Sequence, residues 1–392
     1  MSLSYRFFES DDCAACGACL TKCRYLAFPE AKARRARERL RAGEPVPEVL
    51  SRCVSCYACD AVCPRGLHPY EAILEFWNAR YERVGLPERA RFLMPGAAPN
   101  LRAYLVERLP ADERAQAAAW NRTPARMTGT VLYPGCNLIT LPHLAQSRAL
   151  DGIAIHGGLD LCCGEMYYRM GLFGEVDRIA RTLTAFYAAH AIEEMLFVCP
   201  ACYNMFAHVL PEQFGARFSF RTRFLTDLLL ERLAGAVPRP LGLRVAVHDS
   251  CHARVLGASF LARQRDLLRV LGVTPVETGD DLARGHCCGI AAGCARQSPV
   301  DIARVAGSAL RAAGRAGVDE IAVYCGGCLL VLSMVRQVVP RAPRVRHVLE
   351  YVGRAIDSPV PSRAAARART AAWGVATHAL PRLLSRGRFR IT

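Results

Sequence analysis

The sequence predicts an α/β chain: a helical, cysteine-bearing N-terminal domain followed by two pseudo-symmetric α/β modules. Two observations carry this prediction. From about Thr130 onward, short apolar runs alternate with longer helical stretches, the rhythm of buried strands joined by helices. The runs come in matched pairs around one cysteine pattern that occurs twice: Cys136, Cys162-Cys163-Gly164, Cys199-x-x-Cys202, then Cys251, Cys287-Cys288-Gly289, Cys325-x-x-Cys328. With 392 residues and 52% hydrophobic content the chain has material for two or three packed domains. The expected division is a helical cysteine domain at 1–80, a helical connector at 81–128, modules at 129–238 and 239–358, and a basic amphipathic tail at 359–392.

The N-terminal domain is read first from its cysteine octet. Cys13, Cys16, Cys19, Cys23 and Cys53, Cys56, Cys59, Cys63, the last followed by Pro64, repeat the spacing of a ferredoxin with two cubane [4Fe-4S] clusters. In such runs the short gaps wrap one cube and the fourth cysteine reaches the other. The expected sets are Cys13, Cys16, Cys19 with Cys63, and Cys53, Cys56, Cys59 with Cys23. A zinc site also takes Cys-x-x-Cys pairs but needs only four thiolates. Between the runs, residues 29–42 are good helix formers stopped by Gly43, Pro45 and Pro47, which argues for an all-helical ferredoxin domain. A helix from Pro69 to about Asn78 leads out, and helices near 99–108 and 111–121 form the connector.

In the repeated half, TVLYPGC (130–136) parallels RVAVHDSC (244–251), IAIHG (153–157) parallels VTPVE (273–277), and MLFVCPAC (195–202) parallels IAVYCGGC (321–328). Each copy puts cysteines at strand C-terminal ends, where α/β folds gather ligands. The first copy is about ten residues shorter between its lone Cys and its Cys-Cys, so one helix there is expected to be trimmed. Adjacent thiolates demand an irregular backbone around a metal, and the following Gly supplies it. Five thiolates per copy exceed what one cubane or a zinc ion uses.

On these motifs, residues 13–350 resemble the catalytic-subunit family of heterodisulfide reductases, in the form that fuses the ferredoxin-like and Cys-Cys-Gly subunits. Similar fused chains are the iron-sulfur subunits of anaerobic glycerol-3-phosphate dehydrogenase and glycolate oxidase. The resemblance implies two noncubane [4Fe-4S] clusters, each held by five cysteines: Cys136, Cys162, Cys163, Cys199, Cys202 and Cys251, Cys287, Cys288, Cys325, Cys328. It implies a disulfide or thiol substrate between them and electrons arriving one at a time through the two cubanes. This chain departs from the family pattern in its shortened first copy, in CCGIAAGC where a glycine-rich loop is usual, and in Cys325-Gly-Gly-Cys328 where Cys-Pro-x-Cys is commoner. Ile290 and Ala291 are therefore expected to alter access to the cluster. The other reading of the same cysteines is an electron-transfer subunit between a flavoprotein dehydrogenase and quinone.

No dinucleotide fingerprint or P-loop is present, so flavin or nicotinamide is not expected on this chain, and the donor is expected to be a flavoprotein or cytochrome b subunit. His252, next to Cys251, and His286, next to Cys287, are candidates for proton delivery, with His248 nearby. Cys294 stands outside both patterns and reads as a buried thiol. The charge of +16 rests on Arg, only Lys22 and Lys32 being lysines, and no groove-reading motif points to nucleic acid. The N-terminus lacks a signal-peptide layout and nineteen cysteines read as ligands in a reducing compartment, so a cytoplasmic location is expected. After Asp357 the tail has seven Arg, no acidic residue, and Trp373, Leu380, Leu383 and Leu384. It suits docking to a partner, to the inner face of a membrane, or back onto its own chain.

Overall fold

The computed structural model describes residues 3–235, 237–278, 285–291 and 296–391. Ala18–Thr21, Glu30–Arg41, Pro47–Arg52, Ala58–Ala61 and Pro69–Val84 are helices, and among the described residues no strand precedes Leu86. The insert helix Glu30–Arg41 buries Ala33 and Leu40 completely. The helix after the second cysteine run continues to Val84, past the expected end near Asn78. Its stop is Gly85, at φ 71°, where a side chain is disfavoured. From this helix the Glu75 carboxylate accepts the backbone N–H groups of Phe7 and Phe8 at 2.8 and 3.0 Å, fixing the segment that leads to Cys13.

The connector contains β1 (Leu86–Pro87) and the helices Leu101–Glu107 and Ala111–Trp120. Two four-stranded parallel sheets follow. The first comprises β2 (Thr128–Tyr133), β3 (Ala154–Ile155), β4 (Ala191–Phe197) and β5 (Arg221–Phe224), in the spatial order β3-β2-β4-β5. The second comprises β6 (Leu243–Val247), β7 (Val273–Val276), β8 (Glu320–Val323) and β9 (Arg344–His347), in the order β7-β6-β8-β9. The order is the same, so the repeated cysteine pattern reflects a repeated topology. Their central strands are apolar because parallel strands are covered on both faces: Val131, Leu132, Tyr133, Leu196, Phe197, Ile321 and Val323 are all buried. One apolar core runs through both sheets and reaches the ferredoxin-like segment.

The shortening of the first copy has a structural counterpart. Between Cys136 and Cys162 the chain makes a five-residue helix (Gly135–Ile139) and two 3-10 turns, where the second copy has the long helix Ala253–Val270, interrupted at Gly257. The tail folds back on its own chain. Its helix Ala364–Gly374 lies on the helix Gly326–Arg336, and Phe92, Leu101, Tyr104 and Leu105 join Leu330, Ala368, Ala371 and Ala379 in a second small core. Glu113, fully buried, receives the guanidinium groups of Arg363 and Arg367, with His143 Nδ1 at 3.5 Å. The tail ends in β10 (Arg388–Phe389), antiparallel to β1. Trp373 and Leu384 remain outward. Among the described residues no helix is long and apolar enough to cross a membrane.

Candidate metal centre

The ten cysteines of the repeated pattern come together at the C-terminal ends of the two sheets. Cys136 follows β2 and Cys199 follows β4, as Cys251 follows β6 and Cys325 follows β8. The vicinal pairs arrive on loops that turn at Gly164 (φ 82°) and Gly289 (φ 81°). A Cβ at Gly164 would lie 3.3 Å from Ile179 Cδ1, and one at Gly289 would lie 3.3 Å from Val305 Cγ1. Both the backbone angle and the space therefore select glycine after each Cys-Cys.

The thiols form a continuous series of hydrogen-bonded neighbours: Cys136, Cys162, Cys163, Cys202, Cys199, then across the module boundary Cys325, Cys328, Cys288, Cys287 and Cys251. The two halves titrate alike. Cys163 is held below the ordinary thiol range because it accepts from Cys162 and Cys202, and Cys288 is held there by Cys287 and Cys328. Cys162 and Cys287 are pushed up to about 12: bonds from Cys136 and Cys251 pull them down, but the bonds they donate to Cys163 and Cys288, with burial, prevail. The symmetry breaks at the boundary, where Cys199 accepts from Cys202 and Cys325 and is held low while Cys325 is raised.

Buried cations sit against this thiol series. Arg169, on the short helix after Gly164, donates from Nη1 to Cys251 Sγ at 3.1 Å and to Glu165 Oε1 at 3.1 Å, and from Nη2 to the Ser55 carbonyl. Burial opposes its charge, yet Cys251 and Glu165 hold its pKa well above the ordinary arginine value. Arg102, also buried, lowers the cost of a thiolate at Cys136, so each lone cysteine has its own guanidinium. Asn137 Nδ2 lies 3.8 Å from Cys199 Sγ and accounts for an unusual feature of the second copy. A Cβ at Gly326 would come within 3.0 Å of Asn137 Cβ, so the Cys-Gly-Gly-Cys turn makes room for Asn137 of the first module.

His252 is buried and lines the same cavity, its Nε2 2.8 Å from Glu165 Oε1 and its ring 4.9 Å from that of Tyr57. His286 turns away: its Nδ1 is 2.8 Å from Ser308 Oγ, and it lines a different cavity with His248, whose pKa burial lowers to about 4. Ile290 lines the thiol cavity and Ala291 is fully buried beside it. Cys294 lies outside the described residues.

The N-terminal cysteines lie close to one another across the two runs, Cys59 having Cys53, Cys56 and also Cys19 as neighbours. Cys19 is influenced by Cys13, Cys16 and Cys63, whereas Cys53 is influenced by Cys56 and Cys23; in both, burial is the largest cause and pushes the thiol up to about 12. Arg37 Nε donates to Cys13 Sγ at 3.3 Å. The second cysteine loop is joined directly to the second module. Arg254 donates to the Cys56 carbonyl at 2.6 Å and to the His286 carbonyl at 2.9 Å, and the Cys287 N–H donates to Tyr25 Oη at 3.0 Å.

This donor set fits iron-sulfur clusters. The thiols are spread in pairwise contacts, as a multi-iron group requires, and the buried guanidiniums offset the negative charge that thiolate-ligated clusters carry. The residues that sequence reasoning missed, Arg102, Asn137, Glu165, Arg169 and Arg254, act on partners far along the chain: Arg102 on Cys136, Asn137 on Cys199, Glu165 on His252, Arg169 on Cys251 and Arg254 on the Cys56 carbonyl. Fold and site thus define a class: a redox protein of the iron-sulfur type, with a ferredoxin-like segment joined to a cysteine-rich α/β unit.

Comparisons with known proteins agree with that class. Residues 9–67 match the family described as 4Fe-4S dicluster domain, and residues 245–333 match the Cysteine-rich domain. The glycolate oxidase iron-sulfur subunit of Escherichia coli is 27% identical, over 91% of this chain and 98% of its own length. An uncharacterized iron-sulfur protein of Methanocaldococcus jannaschii is 24% identical over 72% of this chain, and the EtfAB:quinone oxidoreductase of Syntrophomonas wolfei is 22% identical over 63%. The chain spans only 56% and 37% of the length of these last two.

Proposed function

We propose that this chain is the iron-sulfur subunit of a heterodisulfide reductase-like redox complex that reduces, or in reverse forms, a disulfide in the cavity shared by its two five-cysteine sets. The observation that carries this is the Cys199–Cys325 contact, which makes the ten thiols one site with two similar halves, matching the two sulfurs of a disulfide. In this reading the eight N-terminal cysteines, in their crosswise sets, hold two cubane clusters, and the other ten hold two noncubane clusters. When bound, such clusters supply one-electron storage and iron atoms with affinity for sulfur.

The chain's own residues bind, orient and supply protons. A disulfide takes up two electrons and two protons to become two thiols, and the electrons come from a flavoprotein or cytochrome b partner in the cytoplasm or at the inner membrane face. The contacts of Ser55, Cys56 and Tyr57 with Arg169, Arg254 and His252 support entry through the second cysteine loop into the second module. His252, held by Glu165, is the better candidate for proton delivery, because it lines the cavity and His286 does not. Arg102 and Arg169 stabilise charge at the two lone cysteines.

A second reading, delivery of electrons to a quinone without sulfur chemistry, is favoured by the similarity to the EtfAB:quinone oxidoreductase of Syntrophomonas wolfei. Adding a monothiol to the anaerobically oxidised protein separates the two. A changed cluster EPR spectrum is expected for the disulfide site, and a spectrum indifferent to every thiol tried supports the quinone reading.

A further inference from the structure

Away from the thiol series, five arginines meet around one open cavity between the helix Pro69–Val84 and the C-terminal segment: Arg80, Arg89, Arg296, Arg386 and Arg388. Ser51 and Ser385 add hydroxyls, and no Asp or Glu among the described residues lines it. Elsewhere arginines are often matched to carboxylates, as Arg265 is to Asp249 and Glu277, Arg346 to Glu320 and Glu350, and Arg367 to Glu113.

Arg296 is held in place rather than solvated. Its guanidinium lies 3.4 Å over the Trp77 ring, Nη2 donates to Ser55 Oγ at 2.5 Å, and its buried Nε has no hydrogen-bond partner among the described residues. Five like charges gathered in one concavity repel one another, and a guanidinium fixed with a donor unsatisfied is costly unless an anion is received there. The planar fork of arginine matches phosphate oxygens two at a time. An adjoining cavity shares Leu50, Arg80 and Arg388 but is otherwise walled largely by apolar side chains, among them Leu3, Phe76 and Val84.

We propose that the arginine cavity is a binding site for a phosphorylated anion, taken either as a free phosphate compound or as a lipid headgroup whose apolar part enters the adjoining cavity. The test uses the full-length protein with its clusters. Isothermal titration with inorganic pyrophosphate is compared with flotation on phosphatidylglycerol and on phosphatidylcholine vesicles, for the parent protein and for the Arg80→Ala/Arg388→Ala double variant. Both arginines are exposed, and equal melting temperatures verify that the variant is folded. The expected result is saturable binding that the double variant weakens about tenfold or more. Loss of pyrophosphate binding identifies a free phosphate compound; loss of phosphatidylglycerol binding alone identifies a headgroup. The proposal is overturned if neither probe binds, if the variant binds every probe that the parent binds as the parent does, or if the protein is retained on polyglutamate and phosphate fails to displace it.

Discussion

Arg169 offers a direct test of how the buried charges tune the site. Replacing Arg169 with Gln removes the cation whose Nη1 stands 3.1 Å from Cys251 Sγ. At an effective dielectric of about 20, two unit charges at that separation interact by about 5 kcal/mol, and an electron spread over a cluster-sized group about 8 Å away interacts by about 2 kcal/mol. With about 1.4 kcal/mol and about 59 mV per tenfold for one electron, the latter figure is about 90 mV. Loss of the cation disfavours the more negative, reduced state. The expected outcome is a midpoint potential lower by roughly 100 mV for the second five-cysteine set, read in an EPR-monitored redox titration. The first set, identified by its loss in Cys163→Ser, should move least. The change also strips a buried ion pair from Glu165, which costs about 3–5 kcal/mol, so Arg169→Lys serves as the charge-conserving companion and should recover much of the potential. If no signal moves by more than about 20 mV in Arg169→Gln, the electrostatic role assigned to this residue is wrong.

Cys163→Ser and Cys288→Ser should each remove about four of about sixteen iron atoms per chain and one set of EPR signals, leaving the ferredoxin-type signals intact; full iron content in both variants rejects the ten-cysteine assignment. Glu113 gives a pH-dependent prediction. Burial alone would raise its pKa, but His143, Arg363 and Arg367 lower it from 4.5 to about 2, a difference equivalent to about 3 kcal/mol. Because the folded value is the lower one, this stabilisation is present above pH 4.5 and is lost as the pH falls from there toward 2. Glu113→Gln should lack it at neutral pH, and proteases should then cut the segment 361–391 faster in the variant than in the parent; equal rates contradict the docking role. Finally, Tyr25→Phe deprives the Cys287 N–H of its acceptor and should cost about 1–3 kcal/mol, seen as a lower melting temperature. An unchanged melting curve counts against that contact.

Much of the site was legible because cluster-binding cysteines are specified locally: spacing within a loop decides which thiols can surround one group, and Gly164 and Gly289 mark where the backbone must turn. The alternating apolar runs likewise identified β2, β4, β6 and β8. The outer strands β5 and β9 escaped, since RTRF and RVRH carry arginines at alternate positions and look like charged connections; their carboxylate partners, Glu194 for Arg221 and Glu320 for Arg346, are on neighbouring strands. Arg102 and Arg169 were invisible for a related reason. An arginine in a sequence rich in arginine gives no sign that its head is buried near a cysteine dozens of residues away. The tail left three destinations open, and what selected its own chain was Glu113, a single buried carboxylate that no local pattern distinguishes from the acidic residues around it.

The pairing of β1 with β10 has a consequence for how the molecule is made. Leu86 meets Phe389 across some three hundred residues, so at translation speeds of about 5–20 residues per second this contact is unavailable for roughly 15–60 s after Leu86 emerges. Throughout that interval Phe92, Tyr104 and Leu105 face solvent without Ala368, Ala371 and Ala379 to cover them. The ferredoxin-like segment can be synthesised and folded early, but the apolar connector beside it stays a sticky surface until nearly the whole chain has been translated. Prematurely terminated chains should therefore be the aggregation-prone species, and a chaperone that shields this connector would act on the chain at the stage when it is most exposed.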